Sequence, residues 1–325
     1  MTNRALGLAG VGFFALAIGH GALSAGCAVH CIEDGSGTKC VAKSLKRFDG
    51  APPAPQAFDA TAGMPVTIDV NYGNVSVARS GSGKVEVEFR PFAFAGYDEK
   101  PVADKQLAEN LRVAAVMQNG LIVSSTREGG TNGLGADVIV RLPDSFDGAL
   151  TIVNHGNGPV NQFDVRVDGV GRASAVTLTN KSTLGACFVQ GAPSVVRTSV
   201  DCGAAVSVFD VSDSVQITSR GSSHSASGPA VSVRLARTAA GGGRILSASG
   251  GINAVFPQAG GYALTLKSGT PGSVNEGTLP ATCTKAETSA QHKTVTCGAG
   301  AHYELTAGYG PTGAPRDASV TVSYQ

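Results

Sequence analysis

Seven cysteines are the side chains best able to do chemistry in this chain: Cys27, Cys31, Cys40, Cys187, Cys202, Cys283 and Cys297. Cys27 stands directly after Leu23-Ser24-Ala25-Gly26. Small residues before a thiol let the backbone enter a peptidase groove. A cysteine at that point suits a lipobox, in which the thiol is lipidated and the leader is cut just before it. Upstream, Arg4 precedes an apolar run from Ala5 to Ile18, the length of a signal-peptide core and too short for a mature membrane-spanning helix. The motif is imperfect, since Ser24 occupies the position where leucine is commonest. Ordinary secretion, with Cys27 as one more thiol, is the plainer alternative. Ala28 follows the cysteine where an aspartate would point to inner-membrane retention, so the reading favours the outer membrane.

With Cys27 assigned to lipid, six cysteines remain; they allow about 15 connectivities, and the nearness of partners in sequence favours the three local pairs Cys31 with Cys40, Cys187 with Cys202, and Cys283 with Cys297. An odd count in an exported chain needs such an explanation, and an oxidising compartment would close the pairs as disulfides. Zinc is the competing use of these thiols, but no CxxC and no Cys/His cluster at zinc spacing occurs.

The other reactive side chains form no recognisable catalytic set. His20 lies in the leader, and His30, His155, His224, His292 and His302 show no HExxH spacing. His155, in a turn, can act as a ligand or proton carrier only if a carboxylate faces it. Ser222-Ser223-His224-Ser225 lacks the GxSxG elbow of a hydrolase and reads as a flexible polar loop. Gly241-Gly242-Gly243 lacks the Lys-Ser/Thr and the helix that complete a phosphate cradle, so it reads as a corner. Asp210 and Asp213 offer hard oxygens to calcium, without an EF-hand or a Gly-Asp repeat around them. No cofactor and no metal are expected. A carboxylate pair converging in space for glycosidic chemistry is invisible in sequence.

These residues must be carried by something, and composition says what. Glycine accounts for 44 of 325 residues, tryptophan is absent, and charged residues make up 15%. Cutting before Cys27 leaves 24 basic and 24 acidic side chains, a balance that offers nothing to nucleic acid. Residues 28 to about 60 read as a tether, with Ala51-Pro52-Pro53-Ala54-Pro55 as an extended spacer. From about residue 61, apolar residues alternate with polar ones between Gly, Asn and Ser turns: Val66/Ile68/Val70, Val75/Val77, Val85/Val87/Phe89, and onward to Val320/Val322. Period-two alternation at this spacing predicts half-buried strands of a sandwich, barrel or solenoid. A short helical turn is expected only at Asp104–Asn110.

Two stretches look alike. Asp137–Pro143 is followed by Leu150–Asn154, and Ile252–Pro257 by Tyr262–Leu266; each is a strand closed by proline, a second strand, then a glycine turn. Internal repetition favours a solenoid, in which each rung buries its inward side chains on its neighbours.

On these motifs, residues 61–325 resemble the adhesin-like, β-strand-repeat family of bacterial envelope proteins. The resemblance implies a β-solenoid-like fold and no catalytic residues. The sequence departs from the family in the turn His155-Gly156-Asn157-Gly158 and in an insertion at Thr278–Tyr303 that carries Cys283 and Cys297. The expected organisation is a signal peptide over 1–26, a tether with a local disulfide over 27–60, and an all-β solenoid domain over 61–325. The expected role is a non-enzymatic cell-envelope lipoprotein that presents this domain for adhesion, binding or scaffolding, with a cell-surface protein or polysaccharide as partner. The alternative is a carbohydrate-active β-helix enzyme, a lyase or hydrolase.

Overall fold

The computed structural model describes residues 27–34, 37–44, 46–95, 100–128, 133–156, 162–191, 197–212, 214–221, 230–238, 241–308 and 318–325, with 27–44 described by backbone alone. Alternation builds the body. In the strand Val66–Val70 the side chains of Val66, Ile68 and Val70 are fully enclosed while Asp69 faces out. The same period recurs in Ala149–Asn154, Ala175–Asn180 and Ser214–Ser219. Inward side chains from two large mixed sheets merge into one contiguous core of Val, Leu, Ile and Ala. Such cores form because strand side chains alternate between faces, so a period-two pattern makes one face of each sheet apolar.

Successive strands of the central body alternate between the sheets. In the first sheet Val75–Ser80, Val165–Asp168, Cys187–Gln190, Val206–Ser212, Val231–Arg237 and Ile252–Phe256 are neighbours in that order. In the second, Val66–Val70, Ala149–Asn154, Ala175–Asn180, Arg197–Cys202, Ser214–Ser219 and Gly243–Ser247 are neighbours. These pairings are all parallel. The two look-alike stretches occupy equivalent places: each proline ends a first-sheet strand, and the chain then crosses to the second sheet.

Register stacks like positions on like. At the end of the second-sheet strands Asn154, Asn180, Cys202, Ser219 and Ser247 fall in one line, all buried. Buried amides need partners. Asn154 donates Nδ2–H to the Gly73 carbonyl at 2.9 Å, and Asn180 donates to the Phe163 carbonyl at 2.9 Å. Cys202, next in line, forms a disulfide with Cys187 of the first sheet. The bridge therefore staples one sheet to the other. Cys283 and Cys297 form a second disulfide between directly paired positions of the hairpin Cys283–Ser289/His292–Cys297, which is the insertion expected near residues 278–303.

At both ends chain order and stacking order diverge. Leu121–Arg127 and Leu134–Pro143 stack outside Val66–Val70 and Val75–Ser80, although Ala149–Asn154 continues on the opposite side. At the far end Ala301–Ala307 lies between Gly243–Ser247 and Tyr262–Lys267, and Val320–Tyr324 between Ile252–Phe256 and Val274–Asn275. The last strands fill a gap left between earlier ones.

Two expectations need correction. The helical turn is an eleven-residue helix, Lys100–Asn110, which buries Ala103 and Leu107 with Phe48, Ala93 and Leu134 and so closes the end of the stack. The tether also ends earlier than residue 60. Lys46–Asp49 and Gln56–Asp59 pair with the long strand Lys84–Ala95 of the first sheet, and Phe48 is buried. Arg47 donates to Asp137 at 2.8 Å and lies 4.0 Å from the Phe92 ring centre. Upstream, Cys27–Asp34 and Gly37–Ser44 pair antiparallel with Cys31 opposite Cys40. The leader lies outside the described residues, as do the side chains of Cys27, Cys31 and Cys40. Among the described residues no helix is long and apolar enough to cross a membrane.

Candidate functional site

The outward face of the first sheet carries the most unusual chemistry. In Cys187–Gln190 alternation sends Cys187 and Val189 inward and leaves Phe188 and Gln190 outside. In Val206–Ser212 it sends Val206 and Val208 inward and leaves Ser207 and Phe209 outside. Two phenylalanines thus stand on a solvent face where polar residues are the rule. They are half-buried, on adjacent strands, with ring centres 6.0 Å apart in an edge-to-face arrangement.

A guanidinium flanks each ring. Arg166, paired in register with Phe188, places its Cζ 4.3 Å from that ring centre. Arg234, paired with Phe209, places its Cζ 5.5 Å from the other. Cations favour aromatic faces because the ring quadrupole is negative there. Both guanidiniums are also neutralised: Arg166 Nε donates to Asp168 at 2.6 Å, and Arg234 engages both oxygens of Asp210 at 2.8 and 2.7 Å. That two-pronged hydrogen bond holds the Arg234 pKa above its ordinary value.

Asp210 reaches this position through a bulge. The register slips between Phe209 and Val211, and Asp210 takes φ +58°. A non-glycine residue in the left-handed region costs about 1 kcal/mol or more. The slip returns Val211 to the core, where it is fully enclosed, and turns Asp210 toward Arg234. Bulges re-aim side chains in this manner.

The residues singled out by sequence fare differently. His155 does meet a carboxylate, with Nε2 2.9 Å from Asp69 Oδ1. Its Nδ1 faces the Lys181 ammonium at 3.5 Å. Among the described residues no hydroxyl or thiol is hydrogen-bonded to His155 as a nucleophile would be. His302 contacts Thr265 Oγ1 at 2.9 Å. Asp210 has both oxygens on Arg234 rather than free for calcium, and Asp213 lies outside the described residues, as do Ser222, Ser223, His224 and Ser225. Gly242 has φ +62°, and a Cβ there would overlap the His302 carbonyl, so this glycine run is a packed corner. Among the described residues no three His, Cys, Asp or Glu side chains gather to hold a metal.

Two further features lie at the ends of the stack. Glu276 accepts from Lys285 at 2.6 Å and Lys293 at 2.8 Å, and these ammonium groups hold its carboxyl down at about 2. A carboxylate this firmly ionised is the opposite of the raised-pKa acid that glycoside cleavage needs. At the other end an open groove of about 620 Å³ runs between Pro52, Pro53 and Pro91 and the helix residues Leu107 and Ala108.

No family model matches the chain, and no curated protein matches it. Solved structures offer remote likenesses only. One is named "putative cell adhesion protein" from Clostridium sporogenes, at 8% identity and TM-score 0.27, covering 84% of this chain and 100% of its own. Two are named "putative adhesin". That from Bacteroides fragilis has 11% identity, TM-score 0.29 and coverage of 86% and 97%. That from Parabacteroides merdae has 7% identity, TM-score 0.21 and coverage of 85% and 98%. Values this low leave fold and function to be argued from the chain's own residues.

Proposed function

We propose that this chain is an exported bacterial envelope lipoprotein, anchored through Cys27 in the outer membrane, that presents a β-solenoid for adhesion, binding or scaffolding without catalysis. Its leader is residues 1–26, its tether the stretch before residue 46, and its body the remainder. The solenoid reading rests on the parallel, in-register stacking of strands that alternate between two sheets. Two disulfides support an oxidising, extracytoplasmic destination. One acyl chain binds a bilayer only reversibly, so a lipoprotein's multiple chains would supply stable anchoring.

The observation that carries a binding role is the Phe188–Phe209 pair on the outward face. A sheet face that turns two half-buried aromatic rings outward, where polar residues are the rule, suits recognition. The test is titration of the labelled mature protein onto isolated bacterial envelopes and onto host cells. Saturable binding that leaves the target chemically unchanged is expected. Absence of saturable binding to either overturns the reading.

A further inference from the structure

We infer that the open edge of the second sheet, the strand Leu111–Met117, pairs antiparallel with the same strand of a second copy of this chain. This contact is independent of the binding role proposed above. The second sheet ends on this strand, whose one partner among the described strands is Leu121–Arg127. Glu128 N–H donates to the Asn110 carbonyl at 2.8 Å, one step beyond the pair Leu111/Arg127. Bonded and non-bonded pairs alternate along an antiparallel ladder, so the even-numbered residues direct their backbone groups to Leu121–Arg127. Val113, Ala115 and Met117 therefore turn N–H and C=O toward the open side.

Other described edges are guarded, by shortness or by charge, as natural sheet edges are. Val274–Asn275 has two residues, and Lys46–Asp49 and Gln56–Asp59 have four each. Cys283–Ser289 shows Lys285 and Glu287 to solvent. Leu111–Met117 has seven residues and a single charge, Arg112. That guanidinium is already committed, to the Glu109 carbonyl at 2.8 Å and to Glu128 at 3.3 Å. Among the described residues the exposed large apolar side chains are Val116 and Met117 of this strand and Val102 of the adjoining helix.

The strand fits itself. A twofold axis at Ala114 sets Val113 against Ala115 of the second copy and Leu111 against Met117, with about four backbone hydrogen bonds across the seam. Ala114 meets its own copy in a non-bonded pair, the closer kind, where a methyl group leaves room. Arg112 faces Val116, so like charges do not meet; a parallel pairing in register would set the two Arg112 side chains together. Met117 shares the core side of the strand with Ala115 but stands exposed. In the pair it lies beside Leu111 of the second copy, at the mouth of the groove of about 620 Å³ that Leu111 and Val113 line with Pro52, Pro53 and Leu107. Each copy supplies both the apolar side chain and the groove that takes it, and that reciprocity favours a second copy over a foreign strand.

The test is sedimentation velocity of residues 27–325 carrying Cys27→Ser, so that no lipid drives association. One strand pair is a small contact, so a monomer–dimer equilibrium with a Kd of about 1–100 µM is expected. Val116→Lys with Met117→Lys sets one cation against Arg112 and another at the apolar groove. Together they are expected to weaken the dimer about tenfold or more, with the melting temperature unchanged. Met117→Leu should leave the dimer in place. Ala114→Cys reads the register: the two Cα atoms lie about 4.5 Å apart, within disulfide reach, so mild oxidation yields a covalent dimer. Val116→Cys lies about 14 Å from its own copy, four positions along the strand, and should not crosslink. Should the lysine pair unfold the chain, the two cysteine variants decide alone.

A monomer at every concentration overturns the inference. So does a dimer that survives both lysines, or oxidation that crosslinks Val116→Cys and spares Ala114→Cys. A chain that stays monomeric and takes up an unrelated extended peptide on this edge overturns it equally, because the occupant is then foreign.

Discussion

Arg47 makes the most exacting test of where the folded body begins. Its guanidinium meets Asp137 at 2.8 Å with side chains only 15% and 19% exposed, and it lies over the Phe92 ring. The other Asp137 oxygen accepts the Asn74 backbone N–H at 2.9 Å and the Asn74 amide at 3.0 Å. Asn74 in turn accepts the Asp164 N–H at 2.9 Å, so one carboxylate ties four segments together. Breaking a fully buried ion pair by truncating one partner costs about 3–5 kcal/mol, and residual exposure lowers that figure. Arg47→Met keeps most of the stem and should cost about 2 kcal/mol. Asp137→Ala also strands the Asn74 donors and should cost about 3 kcal/mol. In the double variant the losses should fall short of additivity by about 1–2 kcal/mol. Urea unfolding followed by far-UV circular dichroism and by tyrosine fluorescence reads these values; the chain has six tyrosines and no tryptophan. Midpoints are compared at a common m-value. If each single variant costs under about 0.5 kcal/mol and the pair is additive, residues 46–49 are a loose tether and the clamp is not real.

Three other outcomes follow from the packing. Replacing Cys187 and Cys202 by serine opens a loop of 15 residues and should lower stability by about 3 kcal/mol, seen as a reduced urea midpoint. Asn180→Ala leaves the Phe163 carbonyl and the Ser182 N–H buried without their partner, and should cost about 2 kcal/mol in the same assay. Glu276 titrates near 4.5 when unfolded and at about 2 when folded. Its stabilisation is therefore complete above pH 5 or so and is lost as pH falls toward 2. Glu276→Gln should lose about 2 kcal/mol at neutral pH, less than the full shift implies because Lys285 is half exposed, and almost nothing at pH 2. A cost that does not shrink with acidity would refute that assignment.

Much of the fold was legible because period-two alternation is a local signal. Val66, Ile68 and Val70 announce their strand whatever they pair with, and local cysteine pairs announce two of the bridges. Stacking order is not local. The strands Ala301–Ala307 and Val320–Tyr324 read like any others, and nothing in their side chains says that they slot between earlier strands. The early end of the tether was missed for a related reason: prolines 52, 53 and 55 suggest a spacer, while Phe48 and Arg47 find their partners about 45 to 90 residues away. The candidate site had a readable signal. Counting inward from Cys187 and Val189, or from Val206 and Val208, leaves Phe188 and Phe209 on the outside, a breach of the pattern. What sequence does not show is that register brings the two rings together, or that the Asp210 bulge clamps Arg234 beside them.

The account stands most directly on the chemistry of its cysteines. Intact-mass measurement of the mature protein from its native membrane, with and without reduction, tests it in one step. The account predicts a chain beginning at Cys27 with a diacyl or triacyl addition, and a gain of six protons on reduction from three disulfides. An unlipidated chain that begins elsewhere, or cysteines already free before reduction, would contradict it.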